Sequence, residues 1–345
     1  MVEAAVSTHE AASPSATRPA GAWTAEFPLV GPAGETVDLR RVFLSHGIAS
    51  LPPMRVDDAG AWFEVTLPVK GSSPRTVRIT QSRPGHGLVT VAGRPPSALI
   101  TTRLMATVRQ VLSLDQDLSP FYRLARDDPQ LSWVERGAGR MVRSPTVFED
   151  VVKTICTTNC AWSATTRMVN ALVGNLGEKA PGAPAAGPYG RAFPTPAAMA
   201  EAGDAFYKKV AGAGYRGAYL RALAGSVDSG EVDLEGLAGG DAGRLSDDEV
   251  DERLRALPGV GPYASAHIML MLGRYSRLIL DSWTRPTYAR LTSGRAVKDA
   301  TIERRFRRYG SYAGLAFWLF LTRDWLTDEA GEAAAAAGAA EASRA

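Results

Sequence analysis

Cysteine is nearly missing from this sequence: Cys156 and Cys160 are the only two in 345 residues. Two thiols cannot complete a four-ligand zinc site, and an iron-sulfur cluster needs four. Spaced four apart on what reads as a helix, they are expected to be reduced thiols, the default in a chain without secretory features. Long apolar runs are missing as well. No window approaches the ~18 uninterrupted apolar residues that a membrane helix needs. The first residues are rich in Ala, Ser, Pro and Thr without the charged and apolar regions of a signal peptide, so a cytoplasmic chain with no membrane partner is expected. Charge of one sign is also lacking: 39 Lys/Arg stand against 36 Asp/Glu, a net +3 that argues nothing about partners by itself.

What is present is an ordinary globular composition. Hydrophobic residues make up 45%, enough to fill a sizeable core, and the length allows two domains. Residues 1–22 and 328–345 are low in complexity and read as disordered or frayed tails. Between 23 and 95, short alternating runs at 62–67, 76–80 and 88–91, separated by Gly, Pro and Ser, predict an antiparallel β domain with a helix over 37–46. From 96 to 327 the period is helical. The expected fold is therefore mainly α with a small N-terminal antiparallel sheet, an α+β architecture.

Within the helical part, Ser144-Pro145 predicts an N-cap followed by proline at the first helical position, with Phe148, Val151, Val152 and Ile155 on one face and an end near Asn159. Stretches 180–190 and 225–244 read as exposed loops. Ser246 to Glu249 forms a capping-box pattern that opens a helix with Val250, Leu254 and Leu257 on one face. Charge is concentrated just beyond: residues 250–310 carry twelve Lys/Arg and five Asp/Glu, a local +7. A polyanion-facing surface and a merely solvated helical face both fit that run.

The chemistry begins at Leu257-Pro258-Gly259-Val260-Gly261-Pro262-Tyr263-Ala264. A helix runs into this segment and another follows it, giving a helix-hairpin-helix over 247–272. Glycines at 259 and 261 permit the sharp turn and keep side chains away from the backbone amides. The second helix then offers unsatisfied N–H groups and its positive dipole end to a phosphate. Such contacts hold a duplex without reading its sequence. By itself the motif is equally a tight helix-helix turn. Twenty residues beyond Gly261, after Leu278-Ile279-Leu280, comes Asp281, followed by Ser282 and Trp283.

Hairpin, apolar run and aspartate at this spacing resemble the helix-hairpin-helix superfamily of DNA glycosylases, which includes the alkyladenine and 8-oxoguanine enzymes. Further blocks at 115–122, 156–159, 193–196, 214–220 and 309–316 resemble family blocks in the family order, so the likeness runs from about residue 24 to 327. It implies two helical subdomains flanking an active-site cleft. It also implies a DNA repair enzyme of base excision, working as a monomer on double-stranded DNA that contains a damaged base.

Such an enzyme must rotate the nucleotide out of the helix and fill the gap. By resemblance Asn159 enters the gap opposite the orphaned base, Tyr215 is the intercalating wedge, and Arg216 hydrogen-bonds near the orphan. Gly259, Val260, Gly261, Tyr263, Ala264 and Ser282 complete the expected DNA contacts. Cleavage of the N-glycosidic bond builds positive charge on the sugar, and Asp281 is the expected carboxylate that stabilises it and orients water. Bifunctional relatives carry a lysine where this chain has Tyr263, so a monofunctional enzyme is expected. No iron-sulfur cluster and no metal ligand set are expected, although hairpins of this kind can hold Na+ or K+ through backbone carbonyls.

The base pocket is less determined. Tyr263 and His267, four apart, share a helical face, so His267 either points into the pocket and titrates near neutrality or is a structural histidine. Trp162, Trp283, Phe317 and Trp318 are candidates for stacking on the base, at least half of them expected in the core. The 8-oxoguanine enzymes place a base-pairing glutamine in the last block, where Phe317 stands here. That leans the expectation towards electron-poor alkylated purines over oxidised ones. Two other readings stay open: a non-catalytic helix-hairpin-helix DNA binder, and a bifunctional glycosylase/lyase using another amine.

Overall fold

A computed structural model of the chain describes residues 22–93, 95–238, 245–292 and 294–327. The tails expected at 1–22 and 328–345 fall outside these residues except at Ala22. Five strands, β1 (Trp23–Pro28), β2 (Met54–Val56), β3 (Trp62–Val69), β4 (Ser72–Arg83) and β5 (His86–Val91), form one antiparallel sheet in the order β1-β5-β4-β3-β2. The alternation of β3 and β4 explains its two faces: Phe63, Val65, Val77 and Ile79 are fully buried, while Trp62, Glu64 and Arg78 face outward. Helices α1 (Leu39–Phe43) and α2 (Ala98–Val111) cover the buried face.

The helix expected over 37–46 is shorter. Asp38 caps it, its carboxylate accepting from the Arg41 amide at 3.1 Å, and after Leu44 the chain turns into a separate 3-10 turn at Gly47–Ser50. That turn becomes important at the site.

The remaining helices are α3 (Ser119–Ala125), α4 (Val147–Thr157), α5 (Trp162–Leu176), α6 (Pro196–Glu201), α7 (Arg216–Asp228), α8 (Asp247–Arg255), α9 (Pro262–Met271), α10 (Thr284–Leu291), α11 (Asp299–Phe306) and α12 (Ala313–Leu326). Two boundaries differ from expectation. Helix α4 is capped by Thr146, whose hydroxyl accepts from the Glu149 amide at 3.2 Å, and the Ser144 amide donates instead to Asp150. Helix α7 continues to Asp228, so the stretch expected as a loop from 225 begins later. The capping box at Ser246 and Glu249 forms as read, with both reciprocal hydrogen bonds.

Two helical cores result. One gathers α4, α5, α7 and α8; the other gathers α3, α11 and α12. Helix α9 belongs to both: Ile268 and Met269 face the first, Ala266 and Leu270 the second. A helix packed on two sides must be apolar all round, which is why Ala264 to Met271 reads as a continuous buried run.

Candidate active site

The hairpin between α8 and α9 is anchored by Leu257 and Val260, both in the first helical core. Gly259 sits at φ +82°, and a Cβ there would lie 2.8 Å from the Tyr219 ring, so conformation and space both demand glycine. Gly261 differs: its φ is −98° and no atom lies within 4 Å of a Cβ position. Its missing side chain keeps the approach to α9 open. No side chain caps α9, so the amides of its first turn are left to an outside acceptor.

Gly259, Gly261 and Tyr219 line a groove of about 800 Å³, together with Asn159, Tyr215, Ala264 and Ser282. The Val260 side chain is not on that lining; it is 6% exposed and packs into the first helical core. Asn159 has a left-handed backbone, φ +47°, and its side-chain amide donates to the Tyr215 hydroxyl at 3.4 Å. Tyr215 is more than half exposed and meets Tyr219 edge to face at 5.8 Å. The two expected gap-filling residues thus stand side by side. Arg216 does not join them as an outward hydrogen-bonding group. Its guanidinium donates to the Thr158 carbonyl, with Nε at 3.0 Å, and it is 7% exposed. It braces the turn that presents Asn159, and its expected contact near an orphaned base is corrected accordingly.

Asp281 follows the apolar run and precedes α10. Its Oδ1 accepts from the Trp283 amide at 2.8 Å and the Thr284 amide at 2.6 Å, while its own amide donates to the Thr284 hydroxyl at 2.8 Å. One carboxylate oxygen is therefore fixed by the helix terminus.

Behind the groove lies a second cavity of about 330 Å³. The two share Thr157, Trp162, Tyr263, Asp281 and Trp283, so the aspartate stands at the neck between them. The inner cavity is walled by tryptophan: Trp283 lies 5.8 Å from Trp318 and 5.2 Å from Trp325. Trp162 closes another side against Gly47, where a Cβ would be 3.3 Å from its ring. Phe317 is absent from the lining. It is fully buried in the second helical core against Phe306 and Tyr288, because successive helical residues point about 100° apart and α12 turns Trp318 to the cavity instead.

His267 does line the inner cavity. Burial, aided by the neighbouring His46, pushes its pKa down to about 3, which corrects the expected titration near neutrality. At physiological pH it is a neutral imidazole. Tyr263 hydrogen-bonds Thr157 at 3.1 Å, and burial raises its pKa.

Several participants were not read from the sequence. Trp325, Gly47, Ile48, Thr157, Tyr219 and Thr284 all belong to the site or support it. Trp325 and Tyr219 did leave a signal. Trp325 follows Trp318 by seven residues, two helical turns, and Tyr219 follows Tyr215 by four. Gly47 and Ile48 come from the sheet side of the chain, and no local pattern marks them.

The basic stretch 250–310 is less open than its +7 implies. Arg274 pairs with Asp247 at 2.8 Å, Arg277 with Asp248, Arg285 with Asp299 at 2.8 Å and Arg308 with Asp128. Among the described residues, no Lys or Arg lines the groove. Both cysteines are free; the Cys160 thiol donates to the Cys156 carbonyl at 3.2 Å, and burial raises the Cys156 thiol to about 12.

No protein-family model matches the chain, and no curated protein does either. Solved structures do. A 3-methyladenine DNA glycosylase from Archaeoglobus fulgidus superposes with a TM-score of 0.66 at 18% identity, over 88% of this chain and 99% of that one. The Clostridium acetobutylicum 8-oxoguanine glycosylase/lyase gives 0.64 at 21% identity in its apo form, over 84% and 93%. The same enzyme with double-stranded DNA carrying cytosine opposite 8-oxoguanine gives 0.64 at 22%, over the same shares. The chain therefore has the fold of the helix-hairpin-helix DNA glycosylases.

Proposed function

We propose that this chain is a monofunctional DNA glycosylase that excises a damaged purine from duplex DNA. The observation that supports it is a single carboxylate, Asp281, on the shared lining of a hairpin-edged groove and an aromatic cavity. A phosphate held by the amides at the start of α9 brings the adjoining sugar to that neck. The base turns into the inner cavity, and Asn159 with Tyr215 occupies the space it leaves. As the C1′–N bond breaks, its electron pair leaves with the base and positive charge grows on the sugar. Asp281 stabilises that charge and orients water, whose oxygen bonds to C1′ as its proton passes to the Asp281 carboxylate.

The single-step, hydrolytic reading is supported at Tyr263. It stands where a lyase would carry its amine, and among the described residues no lysine lines the groove or the cavity. The tryptophan walls and a neutral His267 favour an electron-poor, alkylated purine. The electron-rich faces of indoles attract such rings, and an uncharged imidazole does not repel a cationic one.

The test is release of free base from duplexes containing 7-methylguanine, 3-methyladenine or 8-oxoguanine, with hot alkali used to reveal abasic sites. Base release that disappears in Asp281→Asn supports the reading. Strand cutting without alkali, or a borohydride-trapped protein–DNA adduct, overturns the monofunctional part. Tight binding of lesion DNA with no base released from any of them leaves a non-catalytic binder.

A further inference from the structure

Several polar groups of the inner cavity are already engaged. The Thr157 hydroxyl donates to the Thr154 carbonyl at 2.7 Å and accepts from Tyr263 at 3.1 Å, and the Trp318 indole N–H donates to the Ser45 carbonyl at 2.8 Å. Asp281 Oδ1 is held by two backbone amides. His267 differs in that both of its polar atoms are buried and unpartnered. It is 6% exposed, lines the cavity, and neither Nδ1 nor Nε2 has a hydrogen-bond partner among the described residues. Its contacts are ring contacts: Tyr263 at 5.9 Å, Trp318 at 6.0 Å and His46 at 5.9 Å.

A buried polar group with no partner destabilises a fold, so leucine at this position would make the better core. The group is understandable if its partner arrives with the ligand. His46 differs in this respect, because its Nε2 reaches the Val142 carbonyl at 2.6 Å and so carries the proton. No partner fixes the proton of His267 in that way. A neutral imidazole free in its tautomer can accept from an amino group or donate to a carbonyl oxygen.

We infer that His267 is the specificity-determining residue of the cavity, reading through one ring nitrogen the hydrogen-bonding edge of a purine stacked among the tryptophans. The inference rests on the glycosylase reading for the nature of its ligand, but its geometry stands on the cavity alone. Stacking on Trp162, Trp283, Trp318 and Trp325 is tolerant, since any flat electron-poor ring satisfies it. Selection between such rings needs a polar group inside the cavity, and the imidazole is the most deeply buried unpartnered one on its lining. Because the imidazole adapts its tautomer, it adds affinity for both adenine-type amines and guanine-type carbonyls, and it adds none for flat cations that present no polar edge.

The experiment titrates the full chain with free 7-methylguanine and with N-methylquinolinium, a flat cation without a hydrogen-bonding edge, and compares wild type with His267→Leu and His267→Gln. His267→Leu is expected to weaken 7-methylguanine about tenfold, the range of one hydrogen bond, while N-methylquinolinium changes less than about twofold. His267→Gln, which keeps a donor and an acceptor, recovers most of the loss. The thermal midpoint of the ligand-free His267→Leu variant is expected to equal or exceed that of wild type, where a merely structural histidine would lower it. Equal weakening of both ligands, no weakening of either, or wild type binding neither overturns the inference. Base release separates it from the parent reading. If wild type excises and His267→Leu excises at the same rate, only the role of His267 fails. If 7-methylguanine binds in a His267-dependent way but no lesion is released, the enzyme reading fails and this one stands.

Discussion

Asp281 and Thr284 hold each other in a reciprocal clasp: the Asp281 amide donates to the Thr284 hydroxyl at 2.8 Å, and the Thr284 amide donates to Asp281 Oδ1 at 2.6 Å. The carboxylate is thus pointed by the same bonds that start α10. Preorganisation of this kind is what allows a charge to act without reorganising during the reaction.

Two substitutions separate charge from aim. Asp281→Asn is expected to lower single-turnover excision by about a hundred- to a thousandfold while DNA binding stays near wild type. Thr284→Val keeps the charge but removes one half of the clasp, and is expected to lower the same rate about tenfold with a stability loss of about 1 kcal/mol. Equal rates in Thr284→Val and wild type would show that the clasp is only a helix cap.

The two hairpin glycines are expected to fail differently. Gly259→Ala forces a Cβ against Tyr219 at φ +82°, so it should lose about 1–3 kcal/mol of stability in denaturant unfolding along with DNA affinity. Gly261→Ala has room and an ordinary φ, so unfolding should be nearly unchanged. Its methyl group stands in the approach to α9, and the dissociation constant for duplex DNA should rise about tenfold.

Neighbouring aromatics on α12 are expected to divide along the same line. Phe317→Ala opens a hole in the second helical core and should cost about 3–5 kcal/mol. Trp325→Ala removes a 42% exposed wall of the inner cavity; base binding should fall while the thermal midpoint moves little. A large stability loss in Trp325→Ala alone would reverse the assignment.

Acid should act on His267 in a defined direction. Its folded pKa, about 3, lies below the ordinary 6.5, so under acid the unfolded chain takes up a proton that the native one refuses. Stability is unaffected above pH 6.5 and falls as pH drops towards 3. His46, lowered to about 4, acts in the same sense, whereas Asp150, raised to about 7, opposes both over the upper part of this range. The isolating measurement is the stability difference between His267→Leu and wild type. It should widen in favour of the variant by up to about 1.4 kcal/mol per pH unit below 6.5. A difference independent of pH between 7 and 4 would contradict this.

The parts of the site that were legible in the sequence are those carried by local spacing. The hairpin glycines, Asp281 after its apolar run, and the i, i+4 pair Tyr263 and His267 are short-range patterns, and each lies on the groove or the cavity. What local spacing misses is the partner. Arg216 looked outward in sequence because Thr158, the residue it braces, is 58 positions away. The +7 stretch overstates its open charge because some of its arginines pair with acids outside 250–310: Asp247 and Asp248 lie just before it, and Asp128 pairs with Arg308 from 180 positions away. Phe317 and Trp318 are adjacent in sequence and part company only through helical rotation, which composition does not report. The sheet was visible as alternating runs, but not that the turn after α1 would reach across to wall the cavity at Gly47 and Ile48.

Helix α9 is wedged between both helical cores and carries its uncapped first-turn amides at one end and His267 little more than one turn further on. At 1.5 Å of rise per residue, Pro262 and His267 are about 7.5 Å apart along the axis. With neighbours on either flank, the rod has no freedom to bend or slide, so that span acts as a fixed gauge. In the proposed reading, a change in how a nucleotide's backbone is seated at the amides would reappear as a change in how its base is met at His267, so the two ends would be tuned together.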